Sequence, residues 1–243
     1  MTHILAIDTS SAWCSVALSL VGTNPAVRHQ KVSAGASQLL LPWVQELLSE
    51  ASIELSDLDA IAIGVGPGTF TGVRLGVAAV QGLATAARLP VLPVASLDAI
   101  ASQLTQTPAF INSRAKSFVI AVDARMEEVY WASYRVGTNS LSQRQGDIHL
   151  TTPEDVELTQ IDFVAGSAIA EFGDRLLVGS HSPFSNAHLD STIGVNALGV
   201  LACAQDMWSN GLQQDVHLLE PLYIRNKVAL TSAERSLGHG RQP

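Results

Sequence analysis

Residues 60–89 constrain the fold of this chain most strongly, because they read as a strand, a glycine-rich turn and a helix. Residues 60–65 are an apolar run of strand length. Proline and glycine interrupt regular structure in residues 66–72, so a turn is expected there. Residues 73–88 form the predicted helix, with Thr71 as its N-cap. The turn has neither the lysine of a Walker loop nor the spacing of a dinucleotide-binding loop.

The predicted helix has almost no charge, since Arg74 is the only charged residue from 71 to 87. A helix that is apolar all round must be covered on more than one side. The small residues Gly72, Gly76, Ala79 and Gly82 would let another backbone approach closely. We therefore expect a packed helix pair, either inside the fold or across an interface.

The composition is that of a globular protein with a large core: 243 residues, 47% hydrophobic and 15% charged. A net charge of −8 argues against strong nucleic-acid binding by this chain alone. Cys14 and Cys203 lie in apolar contexts and are expected to be reduced thiols. The sequence opens on a strand without a basic leader, and no uncharged apolar run reaches the roughly 20 residues of a membrane span. We expect a cytoplasmic protein that does not bind membranes.

The remaining pattern repeats itself after a polar stretch at 105–116, which we interpret as a linker. Before it the pattern predicts strands 3–8, 13–20, 26–32 and 90–94, and helices 37–51 and 96–104. After it the pattern predicts strands 118–123, 129–136, 147–150 and 162–165, and a helix at 196–210. A shift of 115 residues lays Ala6-Ile7-Asp8 on Ala121-Val122-Asp123, which indicates an internal repeat.

Two halves that each open with a hairpin and continue as β-α-β predict a duplicated α/β fold with two subdomains. This is the architecture of the actin, sugar-kinase and Hsp70 superfamily, whose subdomains are ribonuclease H-like. We expect subdomains at 1–110 and 111–225 and a frayed tail at 226–243.

In that superfamily the acid at the end of each first strand, with the turn after it, holds metal and phosphate. Asp8, Thr9 and Ser10 could do so here, or Asp8 could simply bond its own turn. The second turn, which follows Asp123, has no glycine and two acids, so a phosphate is hindered there. Gly166 stands alone where a glycine pair would hold a nucleoside. These loops, including Asp123, are therefore interpreted as degenerate phosphate-binding positions.

No catalytic or metal-binding constellation is predicted. The seven histidines show no helical metal-ligand spacing and no H-E-x-x-H motif, and no serine sits in a G-x-S-x-G elbow. We therefore predict no cofactor.

Several stretches together resemble the TsaB family, also called YeaZ, of bacterial threonylcarbamoyladenosine-biosynthesis proteins. The resemblance covers nearly the whole chain and is weakest across 137–214. The stretches that carry it are residues 4–10, 66–76, 123–130 and, more weakly, 220–225.

The resemblance implies a non-catalytic paralogue of TsaD, the enzyme that places threonylcarbamoyl on an adenosine beside the tRNA anticodon. TsaD holds its metal through two histidines, and Ser96 and Ile100 stand near those positions here. It also implies a scaffold that pairs with TsaD, is joined by the ATPase TsaE, forms a homodimer when alone, and reaches tRNA only indirectly. An active nucleotide-dependent transferase or kinase is the alternative, and a peptidase is disfavoured.

Helices 37–51 and 71–87 are expected side by side on one sheet face, each with more apolar surface than the sheet needs. A third element of the same chain could cover that surface. We favour a helical bundle with the matching helices of TsaD, or with a second copy. The predicted interface residues are Leu39, Leu40, Trp43, Val44, Val73, Gly76, Val77 and Val80.

Overall fold

The first sheet contains five strands in the order β3-β2-β1-β4-β5 in the computed structural model, which describes residues 2–32, 35–137, 142–180 and 184–225. The strands β1, β2 and β3 pair antiparallel, whereas β4 and β5 continue the sheet parallel to β1. Their bounds are β1 Ile4–Asp8, β2 Trp13–Ser19, β3 Ala26–Lys31, β4 Ala60–Gly66 and β5 Val91–Ala95.

The second sheet repeats this topology with the order β10-β9-β6-β7-β8. Here β6, β7 and β8 form the antiparallel part, and β9 and β10 extend it in parallel. The bounds are β6 Ser117–Arg125, β7 Glu128–Val136, β8 Ser142–Thr151, β9 Phe163–Ala165 and β10 Leu189–Asp190. Since β6 takes the place of β1, the two sheets confirm the duplicated two-subdomain α/β fold that the repeat predicts.

Three buried clusters hold the helices on the sheets. The helices α1 and α2 cover the outer face of the first sheet, and α3 and α7 pack in the core that both sheets share. The short helices α5 and α6 cover the second sheet. The helices are α1 Ala36–Glu50, α2 Phe70–Ala87, α3 Ser96–Leu104, α4 Pro108–Ser113, α5 Ala168–Phe172, α6 Asp174–Leu177 and α7 Ala197–Ser209.

The stretch 105–116 is not the linker predicted from its polarity, because it contains α4. The Thr107 hydroxyl accepts a hydrogen bond from the Phe110 amide at 3.3 Å, and Pro108 begins the helix, where a missing N–H does no harm. The Phe110 ring is buried edge-on to Phe118 and Phe163, with centroids 5.0 and 5.2 Å away. The predicted subdomain boundary at 110/111 therefore falls inside a helix anchored in the shared core.

The C-terminal part of the chain returns to the first sheet, which differs from the predicted division at 111–225. Helix α7 packs against α3 and against strands of the first sheet. Gln214 bridges Val91 by two backbone hydrogen bonds, and the Leu222 amide donates to the Val65 carbonyl at 2.8 Å. The predicted tail at 226–243 lies outside the described residues.

Some predicted element bounds also differ. Helix α2 begins at Phe70 with Thr69 as its N-cap residue, two residues before the predicted N-cap Thr71. Pro42 lies inside α1, and β8 begins at Ser142 rather than at the predicted 147. Among the described residues, no helix is long and apolar enough to cross a membrane.

Candidate functional site

The turn after β1 is buried and satisfies its own polar groups. Asp8, Thr9 and Ser10 are at most 2% exposed. The Asp8 carboxylate accepts a hydrogen bond from the Ser10 amide at 3.1 Å and another from the Ser10 hydroxyl at 2.9 Å. Burial raises the pKa of Asp8 to about 7, although the bonds from Ser10 oppose this. The geometry is that of an aspartate bonding its own turn, which was one of the two expectations.

The glycine-rich loop after β4 lies directly on that turn. The Thr69 amide donates to the Ser10 carbonyl at 2.7 Å, and the Thr9 hydroxyl donates to the Gly72 carbonyl at 2.6 Å. A Cβ on Gly68 would lie 2.2 Å from the Ser10 carbonyl oxygen, and one on Gly72 would lie 2.0 Å from that of Thr9. Only glycine permits this approach, and in this conformation the loop keeps ligands away from Thr9 and Ser10.

The turn after β6 is closed in a different way. The Asp123 carboxylate accepts a hydrogen bond from the Arg125 amide at 2.7 Å and pairs with the Arg125 guanidinium at 3.0 Å. Arg125, Met126 and Glu127 all have left-handed backbones, with φ of 62°, 58° and 60°. Each carries a Cβ in a conformation that favours glycine. Asp123 is therefore engaged by its own turn.

The positions near which TsaD would carry its metal-binding histidines are buried here. Ser96 and Ile100 are both 2% exposed, and the Ser96 hydroxyl lies 3.0 Å from that of Ser10. Within the described ranges, no group of three or more histidine, cysteine or acidic side chains is arranged to hold a metal ion. Gly166 lets β9 approach β6, since a Cβ there would lie 2.2 Å from the Ala121 carbonyl oxygen.

Most of the predicted interface residues face the chain's own core, and their assignment to a partner surface stays a prediction. Leu39 is half-buried. The other residues of the set, apart from Gly76, place their side chains in the buried cluster between the first sheet and helices α1 and α2. Gly76 approaches the β1 turn, since a Cβ there would lie 2.7 Å from the Thr9 hydroxyl. The buried residues of the set are Leu40, Trp43, Val44, Val73, Gly76, Val77 and Val80.

An open apolar groove nevertheless remains between α1 and α2. It measures about 450 Å³. Leu41 on its rim is 51% exposed, although it follows two leucines that turn toward the core. Four groove residues are not among the predicted interface residues, because apolar character alone does not tell which side chains remain accessible: Leu41, Ile53, Leu55 and Leu83. The groove is lined by Leu41, Val44, Gln45, Leu48, Ser49, Ile53, Leu55 and Leu83.

A second cavity, of about 330 Å³, lies where three of the stretches that carry the resemblance meet: 66–76, 123–130 and 220–225. Arg225 donates to the carbonyl oxygens of Ala124 and Arg125 at 3.2 and 3.3 Å and pairs with Glu128. The C-terminal segment thus holds the left-handed hairpin turn against the first subdomain. The three stretches are far apart in the sequence, and only the fold brings them together.

The fold and the closed turns define a class: a two-subdomain actin-like protein in which the turn after β1 is covered by the chain's own glycine-rich loop. A family model described as TsaD, tRNA N6-adenosine threonylcarbamoyltransferase, matches residues 24–176. The tRNA threonylcarbamoyladenosine biosynthesis protein TsaB of Escherichia coli (strain K12) is 34% identical over 232 residues, covering 93% of this chain and 96% of that protein. TsaB of Haemophilus influenzae is 32% identical over 240 residues, covering 93% and 94%.

Solved structures agree with these matches. A protein described as YeaZ from Pseudomonas aeruginosa superposes with a TM-score of 0.79 at 34% identity, over 92% of this chain and 100% of its own. Another, described as an uncharacterized protein with similarity to peptidase YEAZ from Pseudomonas aeruginosa, gives a TM-score of 0.81 at 34% identity, over 93% and 100%. The chain belongs to the TsaB family, also called YeaZ.

Proposed function

We propose that this chain is a non-catalytic subunit in the biosynthesis of threonylcarbamoyladenosine in tRNA and that it supports a TsaD homologue by pairing with it. The names of its relatives support the pathway. The groove between α1 and α2 supports the pairing and is the observation that carries this proposal. Its apolar lining is continuous with the exposed Leu41 side chain, which is the kind of surface that proteins bury in an interface.

The closed phosphate turn supports a non-catalytic role. An active nucleotide-dependent transferase or kinase, the alternative function, would need the loop at Gly68 and Gly72 to leave Thr9 and Ser10. That movement breaks two hydrogen bonds of 2.7 and 2.6 Å. Calorimetry with ATP distinguishes the two functions, because the isolated scaffold is expected to bind no ATP.

In the proposed complex a TsaE homologue joins the pair, and in the absence of TsaD the same groove pairs two copies of this chain. The proposed setting is the cytoplasm. We expect tRNA to be bound weakly by the isolated chain, because a net charge of −8 repels the phosphate backbone.

Leu41→Glu tests the groove. This variant places a charge on the exposed rim of the groove, so folding should be unchanged. The affinity for the TsaD homologue should fall at least tenfold, which corresponds to about 1.4 kcal/mol of binding free energy. Val77→Glu is unsuitable, since Val77 is buried and a charge there would unfold the chain. Size-exclusion chromatography with light scattering and calorimetry with the TsaD homologue measure the effect.

Leu198→Glu is the matched control, because Leu198 is also an exposed helical leucine but lies on α7. The control should pair like the wild type. Equal affinity of Leu41→Glu and the wild type would place the interface elsewhere on this chain.

A further inference from the structure

A second exposed surface lies beside the 330 Å³ cavity and involves both subdomains. We call it the Arg74 surface and define it as Phe70, Arg74 and Tyr223, with Met126 on the opposite hairpin tip. Phe70 and Tyr223 are each 53% exposed and Met126 is 60% exposed. In the described part of the chain, no other phenylalanine, tyrosine or tryptophan side chain is exposed. Aromatic residues, methionine and arginine are the types enriched in protein interfaces.

Arg74 is held in place before any partner arrives. Its guanidinium carbon lies 3.4 Å from the Phe70 ring centroid and 5.5 Å from that of Tyr223. Its Nε donates a hydrogen bond to the Tyr223 hydroxyl at 2.9 Å. Across the described ranges Arg74 forms no ion pair, and its two terminal amino groups remain as donors. A guanidinium fixed in this way can bind a carboxylate with two parallel hydrogen bonds while losing little side-chain entropy.

The guanidinium of Arg74 is the feature of this surface that favours an acidic group on a partner. The neighbouring arginines already have carboxylate partners, since Arg125 pairs with Asp123 and Arg225 with Glu128. At the hairpin tip Arg175 pairs with both Glu127 and Glu154, so the preference comes from Arg74 itself and not from an excess of positive charge around it. The cavity next to it is walled by Pro67, Val73, Tyr130 and Leu222, among others, and offers an apolar side chain a place to insert.

We propose that the Arg74 surface docks a segment of a second partner protein in which a carboxylate stands next to an apolar side chain. The carboxylate pairs with Arg74 and the apolar side chain enters the cavity. Because Tyr223 orients the guanidinium, it acts as a positioning residue for this contact.

Single-stranded RNA is the other macromolecule that arginine and aromatic side chains commonly bind, and the observations favour protein. Base stacking requires an open ring face, and the guanidinium of Arg74 already covers one face of Phe70. Only one unpaired arginine belongs to the surface, and the chain carries a net charge of −8.

The test measures three purified probes from the same organism by calorimetry: the TsaD homologue, the TsaE homologue and unmodified tRNA. Because the groove is assigned to the TsaD homologue, the second partner is the TsaE homologue. Arg74→Gln should weaken binding of the TsaE homologue about tenfold at 50 mM salt and by a smaller factor at 300 mM salt. Tyr223→Phe keeps the ring but removes the hydroxyl that holds Arg74, so it should weaken the same protein by a smaller factor. Arg88→Gln, at the other end of α2, is the control and should leave all affinities unchanged.

Equal binding of the TsaE homologue by Arg74→Gln and wild type would overturn the docking surface, and so would a loss confined to the TsaD homologue or to tRNA. The inference rests on the proposed function for its probes, but the two fail separately. Loss of the TsaD homologue in Leu41→Glu with no effect of Arg74→Gln keeps the proposed function and rejects the Arg74 surface. Loss of binding of the TsaE homologue in Arg74→Gln with no effect of Leu41→Glu would keep the Arg74 surface and reject the groove as an interface. A wild type that binds neither protein overturns both.

Discussion

Replacing Gly72 with alanine tests whether the glycine-rich loop is fitted to the β1 turn of its own chain. The added Cβ would lie 2.0 Å from the Thr9 carbonyl oxygen and 2.5 Å from the Thr69 hydroxyl. Carbon and oxygen normally approach no closer than about 3.3 Å, so the two backbones must separate by more than about 1 Å. Separation breaks the bond from the Thr9 hydroxyl to the Gly72 carbonyl, now 2.6 Å.

The expected loss is about 3 kcal/mol, from overpacking and from one or two lost hydrogen bonds of about 1 kcal/mol each. For a chain of this length that corresponds to a melting temperature lower by roughly 6–12 °C. Urea and thermal unfolding followed by circular dichroism measure both quantities.

Gly82→Ala is the matched control on the same helix, because a Cβ there meets no atom within 4 Å. Alanine favours helix over glycine by up to about 1 kcal/mol, so the control should gain stability while Gly72→Ala loses it. If both variants are equally stable or both are stabilised, the loop does not rest on the β1 turn as described and does not close that turn to phosphate.

Three further changes test other parts of the fold. Burial raises the pKa of Asp8 from 3.8 to about 7, so the native state keeps a proton that the unfolded state has released. The free energy of unfolding should therefore fall by up to about 1.4 kcal/mol per pH unit from about pH 4 to 7. Urea titrations of Asp8→Asn should show a flatter dependence on pH, and an unchanged dependence would contradict the raised pKa. Phe110→Ala should lower the free energy of unfolding by about 3–5 kcal/mol, because the Phe110 ring fills the space against Phe118 and Phe163. A loss below about 1 kcal/mol in thermal unfolding would show that α4 is not anchored in the core. Glu127→Gly relieves a φ of 60° and forfeits only an exposed ion pair, so the urea midpoint should rise; a lower midpoint would mean that the ion pair matters more than the backbone.

The repeat and the strands could be predicted from the sequence, because short apolar runs are typical of strands that are buried on both faces. Ala6-Ile7-Asp8 and Ala121-Val122-Asp123 do occupy equivalent strands of equivalent sheets. Helix α4 was missed because six residues are too few to show a helical period. Its cap, Thr107 followed by Pro108, was the local signal that could have revealed it.

The covering of α2 was not readable, since periodicity shows that a face is apolar but not what covers it. Val77 and Val80 meet the first sheet, and Gly72 and Gly76 meet a turn more than sixty residues earlier in the chain. The left-handed turn at Arg125 had no sequence signal either, because it lacks glycine. It depends on Arg225, which lies 100 residues away and donates to its carbonyl oxygens.

Both proposed surfaces are built on α2, and this placement leads to a last prediction. Leu83 lies in the groove, and Arg74 lies nine residues earlier on the same helix. At 1.5 Å and roughly 100° per residue the two positions are about 14 Å apart along the axis and about 180° apart around it, so the groove and the Arg74 surface lie on opposite flanks of α2. Two proteins bound at once therefore have the helix between their contact sites. With the TsaD and TsaE homologues as the two partners, we expect the affinity for each to be unchanged when the other is present. Calorimetry of one partner with and without saturating amounts of the other measures the ratio of the two affinities. An equal change of both affinities would show that the two partners contact each other or act on each other through this chain.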